Sequence, residues 1–130
     1  GLRAAKLPGV RFAGVKFRPK RPGDEKYPNT TVAGIRLTVT DRATYDPTAT
    51  AVTMMAVIRA VHPSKLTWTP GQFDRLAGNS ALRLALSGGA APGAAMEGWP
   101  AELQRFVVRS QSALIYPRPA NLPGASAPAP

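Results

Sequence analysis

One stretch of the chain decides the fold class. It spans residues 32–62 and reads VAGIRLTVTDRATYDPTATAVTMMAVIRAVH. Near its start, Ile35, Leu37 and Val39 alternate with polar side chains, an alternation typical of a strand with one buried face. A one-sided strand followed by helices predicts an α+β fold, with a small mixed or antiparallel sheet and helices packed on one face.

The second half of this stretch predicts a helix over residues 47–62. Asp46 can cap free N–H groups, and Pro47 fits the first helical turn. Apolar residues continue almost all round the helix, with Arg59 as its one full charge. We therefore expect one face to pack on the domain's own sheet and the other to form an interface. The sheet-facing set is Met54, Met55, Ile58 and Val61, and the interface set is Val52, Ala56, Val57 and Ala60.

Outward from this stretch, two further strands are predicted, over residues 10–18 and 114–116. In the first of them the apolar residues change phase at Ala13 and Gly14, which predicts a bulge or a bend. Shorter elements are predicted as an edge strand at residues 66–69 and as helical segments at residues 73–76, 80–86 and 91–96. A last helix is predicted at residues 100–112, with Leu103, Phe106 and Val107 buried.

The domain organisation is simple, because 130 residues suit one domain. Residues 1–9 are interpreted as a linker or helix remnant from an upstream domain, since Pro8 and Gly9 end helices and start turns. Residues 10–116 form the predicted folded domain. Residues 117–130 contain five prolines and no aromatic residue, a composition that predicts disorder.

The composition excludes several kinds of site. The chain has no cysteine and one histidine, His62, so disulfides, zinc–thiolate sites, iron–sulfur clusters and multi-histidine metal sites are ruled out. We expect neither a metal nor a cofactor. No apolar run reaches the length of a membrane span.

The net charge of +10 is unevenly placed, since seven of the 17 Lys and Arg residues lie in the first 21 positions. Such a basic end suits a polyanion, and charge alone does not choose between nucleic acid, anionic lipid and an acidic cell-wall polymer. The interleaved Phe12, Phe17 and Tyr27 keep a nucleic-acid-binding module open as an alternative function. A docking domain that contacts another protein through the 47–62 helix is a second alternative.

Most of the acidic residues have a structural explanation. Asp46 and Asp74 are placed at helix starts. Glu97 and Glu102 fall near the start of the last helix, where carboxylates complement the helix dipole. General acid–base chemistry needs a carboxyl group with a raised pKa, and the pattern suggests none. We therefore expect that this chain alone is not catalytic, and that His62 only interacts with the last carbonyls of its helix.

Eight short motifs occur in order along the chain. They are LPGVRF (7–12), FRP (17–19), KYPN with a following glycine (26–29 and 34), VTDR (39–42), YDP (45–47), WT (68–69), FDRLAG (73–78) and LIYP (114–117). In this order the set resembles the C-terminal domain of the bacterial exo-β-N-acetylmuramidases, long catalogued as a domain of unknown function. The chain departs from that pattern in two places. Val32 or Ala33 stands where many members have a cysteine, and the linker between Trp68 and Phe73 is short.

The resemblance implies that a Rossmann-like domain upstream carries the catalytic acids, and that this accessory domain closes one side of the cleft. The implied reaction is hydrolysis of terminal N-acetylmuramic acid from the non-reducing ends of peptidoglycan fragments in cell-wall turnover. The implied host is a bacterium that exports the protein, as part of a longer precursor, to the periplasm or the cell exterior. The implied partners are muropeptides and, through the 47–62 helix, the upstream domain or a second copy of the chain.

Three residues are candidate substrate ligands: Arg18, Lys26 and Tyr27. They flank or lie in the loop between the first two strands, where binding groups usually sit. They would present cations to the lactyl carboxylate of muramic acid or to its peptide stem. The VTDR box is interpreted as structural, with Asp41 and Arg42 organising the turn before the helix.

Overall fold

The structure is a computed structural model that describes residues 1–116. The described part opens with an antiparallel hairpin of β1 (Val10–Phe17) and β2 (Val32–Val39). The helices that follow are α1 (Pro47–Val61), α2 (Pro70–Ala77), α3 (Ala81–Ser87), α4 (Pro92–Ala95), α5 (Trp99–Ser110) and a short 3₁₀ helix (Gln111–Ala113). This order confirms the predicted α+β class. The tail at 117–130, for which the sequence predicts disorder, lies outside the described residues.

The hairpin pairs residue for residue along its whole length, beginning with Val10 opposite Val39. This continuous register contradicts the bulge predicted at residues 13–14. The change of phase has another cause, because the two ends of β1 place their large side chains on opposite faces of the hairpin. Phe12 is buried on one face, whereas Phe17 on the other face is 51% exposed.

The strands predicted at residues 114–116 and 66–69 do not form, so the sheet of the described residues has two strands. Leu114 donates its backbone N–H to the carbonyl oxygen of Gln111 at 3.3 Å and so closes the 3₁₀ turn. Trp68 packs edge-on against the ring of Phe73. Segments of only three or four residues are poor evidence of a strand, because local contacts readily decide their conformation.

Helix α1 begins and ends close to the predicted bounds. The Asp46 carboxylate accepts the N–H of Ala49 at 2.9 Å and caps the first turn. At the other end, the Arg59 guanidinium donates to the carbonyl oxygens of Pro63 and Ser87. One side chain therefore binds a carbonyl just beyond the end of α1 and the last carbonyl of α3.

The main core of the domain lies among the helices. It is centred on Val52 of α1, Leu86 of α3 and Ala95 of α4, all of which are buried. The partly buried residues packed around it are Met55, Ala56, Trp68, Leu82, Ala85, Ala90, Met96 and Trp99.

The predicted orientation of α1 is wrong. Val52 and Ala56, expected at an interface with another protein, face the core formed with α3 and α4. Ile58 and Val61, expected under the sheet, are 39% and 59% exposed. A two-stranded hairpin offers little surface to cover a helix, whereas α3 and α4 together enclose the other side of α1.

Two further details differ from the predictions. In α5, Val107 is buried as expected, but Leu103 and Phe106 are about half exposed. Asp74 lies in the middle of α2 rather than at its start, and its two carboxylate oxygens accept Nε and Nη2 of Arg83 at 2.8 Å each. This hydrogen-bonded pairing lowers the pKa of Asp74 and raises that of Arg83.

The hairpin meets the helical part at a tight contact around Gly9. Its φ is +67°, and a Cβ atom there would lie 2.5 Å from the carbonyl oxygen of Asp41 and 2.6 Å from the backbone nitrogen of Tyr45. Only glycine fits this position, because both the backbone conformation and the space exclude a side chain. The Thr40 N–H donates to the Gly9 carbonyl at 2.8 Å and extends the pairing of the hairpin by one residue on each strand.

The turn between β2 and α1 is organised by Asp41, as predicted. Its carboxylate accepts the hydroxyl of Thr44 at 2.8 Å and the N–H of Ala43 at 2.9 Å. The Thr44 hydrogen bond is the main cause of the lowered pKa of Asp41. Arg42 is exposed, and its side chain makes no hydrogen bond to a described residue.

Candidate functional site

The loop that joins the strands, residues 18–31, carries the predicted site residues and is closed at its base. Nε of Arg18 donates to the carbonyl oxygen of Asn29. The N–H of Asn29 donates in turn to the carbonyl of Pro19 at 2.7 Å. These two bonds join the outgoing and returning chains, so the loop is a defined structure attached to the end of the hairpin. We call it the hairpin loop.

The hairpin loop contains an unusual run of left-handed backbone. Glu25, Tyr27 and Asn29 have φ values of 56°, 51° and 56°. For a residue with a Cβ this region costs about 1–2 kcal/mol, although asparagine tolerates it better than most. Residues held in such conformations cluster at binding and catalytic sites, because the surrounding structure must hold them there.

All three predicted ligands lie on this loop, with Arg18 at the base and Lys26 and Tyr27 on the far part. The Tyr27 side chain is 66% exposed. The Lys26 ammonium is also exposed and lies 4.0 Å from a carboxylate oxygen of Asp24, at the limit of an ion pair. Lys26 and Tyr27 are therefore available to a ligand, whereas one N–H of Arg18 is committed to the loop itself.

The electrostatics of the loop favour an anion. Its charged residues are the cations Arg18, Lys20, Arg21 and Lys26 and the acids Asp24 and Glu25. The described carboxyl groups with a resolved pKa shift are Asp41 and Asp74, and both pKa values are lowered. A carboxyl group with a lowered pKa is ionised at neutral pH and has no proton to donate. The loop itself has four cations and two acids and therefore a net charge of +2.

A second feature is an apolar groove of about 320 Å³ between the N-terminal segment, the hairpin and α1. Residues 2–5 form turns rather than the end of a helix, and they place Leu2 and Gly1 in this groove. The hairpin adds Phe12 and Ile35. Helix α1 contributes Val57, Ile58, Val61 and the C-cap residue His62. We call this feature the α1 groove.

His62 does not have the role expected from its position. Its backbone N–H, not its imidazole ring, donates to the carbonyl oxygen of Ile58 at 2.8 Å. The side chain is exposed and lines the α1 groove instead.

No helix in the described part of the chain is long and apolar enough to cross a membrane. Within that part no group of His, Asp and Glu residues is arranged to hold a metal ion.

Comparison with known proteins identifies the family. The family model described as the C-terminal domain of the exo-β-N-acetylmuramidase NamZ matches residues 1–116. The chain belongs to this family. The resemblance carried by the eight motifs is thereby confirmed for 116 of the 130 residues.

A curated relative agrees with this assignment. The peptidoglycan β-N-acetylmuramidase NamZ of Bacillus subtilis (strain 168) is 29% identical over 116 residues, which cover 88% of this chain. The same residues cover 27% of the relative, so this NamZ C-terminal domain spans about a quarter of that protein's length. No solved structure matches the chain.

Sequence reasoning missed the α1 groove. The alternation predicts that Ile35 lies on the buried face of its strand. The helical spacing predicts that the sheet covers Ile58 and Val61. The structure leaves Ile35 52% exposed, because α1 lies at a distance from the hairpin with the groove between them. The sequence signal was the helix itself, which is apolar on nearly all sides, but the number of strands that could cover it was not evident from the sequence.

Proposed function

We propose that this NamZ C-terminal domain is the accessory domain of a peptidoglycan glycosidase that removes N-acetylmuramic acid from non-reducing ends during cell-wall turnover. Its part is to shape one side of the substrate cleft. The observation that carries the proposal is the hairpin loop, which holds an exposed tyrosine beside a lysine and an arginine in a closed, left-handed backbone, in a chain of this family.

The three side chains suit the chemistry of N-acetylmuramic acid. This sugar carries a lactyl group that ends in a carboxylate or continues as a peptide stem. Lys26 supplies a mobile ammonium, and Arg18 retains free N–H donors beyond the one bound to Asn29. The Tyr27 ring offers an apolar face against which a sugar ring packs, with a hydroxyl at its tip. The loop thus recognises both the ring and its acidic substituent.

The reaction itself is assigned to another part of the protein. Hydrolysis of a glycoside uses a pair of carboxyl groups, one of them with a raised pKa. Neither Asp41 nor Asp74 has this property, because hydrogen bonds lower both pKa values. We place the carboxyl pair in a Rossmann-like domain that precedes this one, and we place the protein outside the cytoplasmic membrane, where its substrate is.

The α1 groove is the proposed seat of that catalytic domain. The relative from Bacillus subtilis is almost four times as long as the matched region, and the matched region is the C-terminal one. Gly1 lines the groove, so a polypeptide that precedes it leaves from this place. The exposed Ile35, Ile58 and Val61 then have an apolar partner, as contiguous exposed apolar surface generally requires.

Ligand binding by the loop is tested by calorimetric titration of the 130-residue chain with N-acetylmuramic acid. Replacing both Lys26→Ala and Tyr27→Ala is expected to weaken binding at least tenfold. The matched control is Lys65→Ala with Tyr116→Ala, which removes a lysine and an exposed tyrosine elsewhere. Equal affinity in the two double variants contradicts the site. Tighter binding to a random oligonucleotide than to any muramic acid ligand supports the nucleic-acid alternative instead.

The groove is tested by co-expression with the part of Bacillus subtilis NamZ outside the matched region. The wild-type chain is expected to co-purify with it, and Val61→Lys to abolish this while leaving the thermal transition unchanged. Ala60→Lys, which adds the same charge one residue away on an exposed position, is the control. A homodimer that Val61→Lys dissociates, without capture of the catalytic part, assigns the groove to a second copy and overturns the proposed occupant.

A further inference from the structure

A second groove lies between α1, α3 and α5 and shares no described residue with the α1 groove. One part of it, of about 870 Å³, is lined by Val52 of α1 and Leu82 of α3. The other part, of about 740 Å³, lies beside Tyr45 and the start of α1. Trp99 and Leu103 of α5 line both parts, so the two are continuous. We call this feature the α5 groove.

The apolar face of α5 is largely uncovered at this groove. Leu103 is 46% and Phe106 is 52% exposed, and Leu76 of α2, which also lines the groove, is 79% exposed. Among the described elements, α5 packs closely only against the 3₁₀ helix that follows it. A contiguous apolar surface of this kind generally marks a contact with another segment or molecule.

The α5 groove is acidic in a strongly basic protein. Asp46, Glu97 and Glu102 line it, which is three of the seven acids of the chain, and none of its described lining residues is lysine or arginine. Asp46 caps α1, but Glu97 and Glu102 have no side-chain hydrogen bond or ion pair with a described residue. Charge complementarity therefore requires an occupant with a positive charge beside an apolar surface.

The residues that follow the described part of the chain have this combination. Residues 117–130 carry one charged side chain, Arg118, and one large apolar side chain, Leu122, among five prolines. They also lie beyond the region that the family model matches. Proline-rich segments favour the polyproline II helix, which needs no internal hydrogen bonds and docks into grooves lined by aromatic side chains. The aromatic residues of the α5 groove are Tyr45, Trp99 and Phe106.

We propose that residues 117–123 fold back along α5 and occupy the α5 groove of their own chain as a polyproline II helix. The occupant is a segment of the same chain because this segment is tethered beside the groove and combines the required charge with an apolar surface. A second copy is disfavoured, because two molecules of net charge +10 repel each other. The inference is independent of the function proposed above, since no carbohydrate ligand enters it.

The residue pattern of the tail fits both the floor and the rim of the groove. A polyproline II helix has three residues per turn, so Pro119 and Leu122 lie on one edge and Arg118 lies on another. The apolar edge covers Leu103, while Arg118 stays at the rim and pairs with Glu102. Docking therefore covers exposed apolar surface and neutralises an acid at the same time.

The tail is long enough and begins in a suitable place. The 3₁₀ helix follows α5, and the described chain then bends at residues 115 and 116, so the tail leaves near the end of α5 at Ser110. From Ser110 back to Trp99 the helix rises about 17 Å, at 1.5 Å per residue. Seven residues of polyproline II rise about 22 Å. Residues 117–123 therefore span the length of α5 when they run antiparallel to it.

The test places a nitroxide spin label on the tail of the 130-residue chain. The chain has no native cysteine, so Asn121→Cys provides one attachment site, on the same edge as Arg118. In the ¹⁵N-labelled protein the label should broaden the backbone amide resonances of Leu103 and Phe106 and leave that of Val61, in the α1 groove, sharp. Broadening of Val61 instead, equal broadening at both grooves, or none at either overturns the proposal.

Mixing distinguishes the chain's own tail from the tail of a second copy. Spin-labelled chain without ¹⁵N is mixed with an equal amount of ¹⁵N chain that carries no spin label, so that any broadening comes from another molecule. No broadening at Leu103 is expected. Broadening as strong as in the singly prepared spin-labelled protein assigns the groove to the tail of a second copy and overturns the intramolecular contact.

Substitutions in the tail test the apolar contact without changing the folded domain. In the spin-labelled chain, Pro119→Ser with Leu122→Ser should lower the docked population, measured by the broadening at Leu103, by about fivefold or more, as expected when a leucine is partly buried. The matched control is Ala127→Ser with Pro128→Ser, which lies beyond the docked segment and should leave the population unchanged. Equal losses in the two variants, or no loss in either, overturn the contact.

The ion pair is tested by charge reversal in the same spin-labelled chain. Arg118→Glu should lower the docked population about two- to fivefold, the range for an exposed ion pair, and adding Glu102→Arg should restore it. The matched control adds Asp24→Arg instead, which makes the same change of net charge on the hairpin loop and should not restore docking. Equal restoration by both second changes, or by neither, overturns the pairing.

Discussion

The hairpin and the helical part of this domain are built on different principles. The helical part surrounds Val52 and Leu86, which are almost completely buried, and it pairs Asp74 with Arg83. The hairpin has one well-buried strand residue, Phe12, and its cations face solvent. The difference teaches that the helices hold the fold, whereas the hairpin is an extension that carries the candidate binding residues. Substitutions should therefore separate stability from affinity by region.

The largest effect is expected in the helical core. Leu86→Ala removes a side chain that is 1% exposed and should lower the free energy of unfolding by about 2–5 kcal/mol, because it leaves a cavity between α1, α3 and α4. Leu84→Ala on the same helix is the control, since Leu84 is 57% exposed. Chemical denaturation followed by far-UV circular dichroism measures both. Similar losses at the two positions would show that the core lies elsewhere.

A smaller effect is expected where the two regions join. Gly9→Ala combines a left-handed backbone with a Cβ atom 2.5 Å from the Asp41 carbonyl, and should cost about 2–4 kcal/mol. Gly78 also has a left-handed backbone, with φ +85°, but a Cβ atom there would have no neighbour within 4 Å. Gly78→Ala should therefore lower the free energy of unfolding by only about 1 kcal/mol. Thermal melting of both variants isolates the cost of the close contact. If the two variants have the same melting temperature, the contact between the hairpin and the helices is loose.

The Asp74–Arg83 pair should give the stability a pH dependence. Its hydrogen bonds lower the pKa of Asp74 in the folded state, so the pair stabilises the fold above the unfolded pKa of about 3.9. The contribution is lost as the pH falls through the lowered folded value. Asp74→Asn should reduce stability at pH 7 and bring the variant closer to the wild type at pH 2.

Denaturant titrations at both pH values measure the change. Asp41 contributes in the same direction, because its pKa is also lowered. Asp24→Asn, which removes an exposed acid of the hairpin loop, is the control for the loss of one negative charge. A profile that is the same for the wild type and Asp74→Asn would mean that the pair makes no net contribution.

The smallest change in stability is expected at the hairpin loop. Tyr27→Gly removes the strain of a tyrosine in the left-handed region but increases the conformational entropy of the unfolded chain. These effects oppose each other, so the free energy of unfolding should change by less than about 1 kcal/mol. The affinity for N-acetylmuramic acid should nevertheless fall. Lys65→Gly, outside the loop, is the control for affinity. A large loss of stability in Tyr27→Gly would place the ring in a structural role and not a binding one.

Local signals account for what the sequence predicted well. The start of α1 depends on Asp46 and Pro47, and the turn before it on Asp41, each of which acts on residues two or three positions away. The bounds of β1 and β2 follow from apolar alternation. The position of the loop between them follows from the same bounds, whereas ligand binding by that loop stays a prediction.

The failures concern contacts between distant segments. The apolar residues of α1 surround the helix, so no pattern within it says whether Val52 or Val61 faces the core. That choice depends on α3 and α4, which are short and begin 20 and 31 residues beyond the end of α1. The strand predicted at residues 114–116 failed for a related reason, because whether a short apolar segment joins a sheet depends on where distant segments place it. Nothing in the composition predicts the left-handed backbone at Tyr27.

The contact at Gly9 also has a mechanical consequence. β1 extends from this contact to the hairpin loop over eight residues, a length of about 26 Å. A tilt of β1 by about 10° about the contact at Gly9 moves the far end of a strand of this length by about 4–5 Å, the diameter of a sugar ring. The steric fit around one glycine therefore sets where the hairpin loop lies relative to the helices.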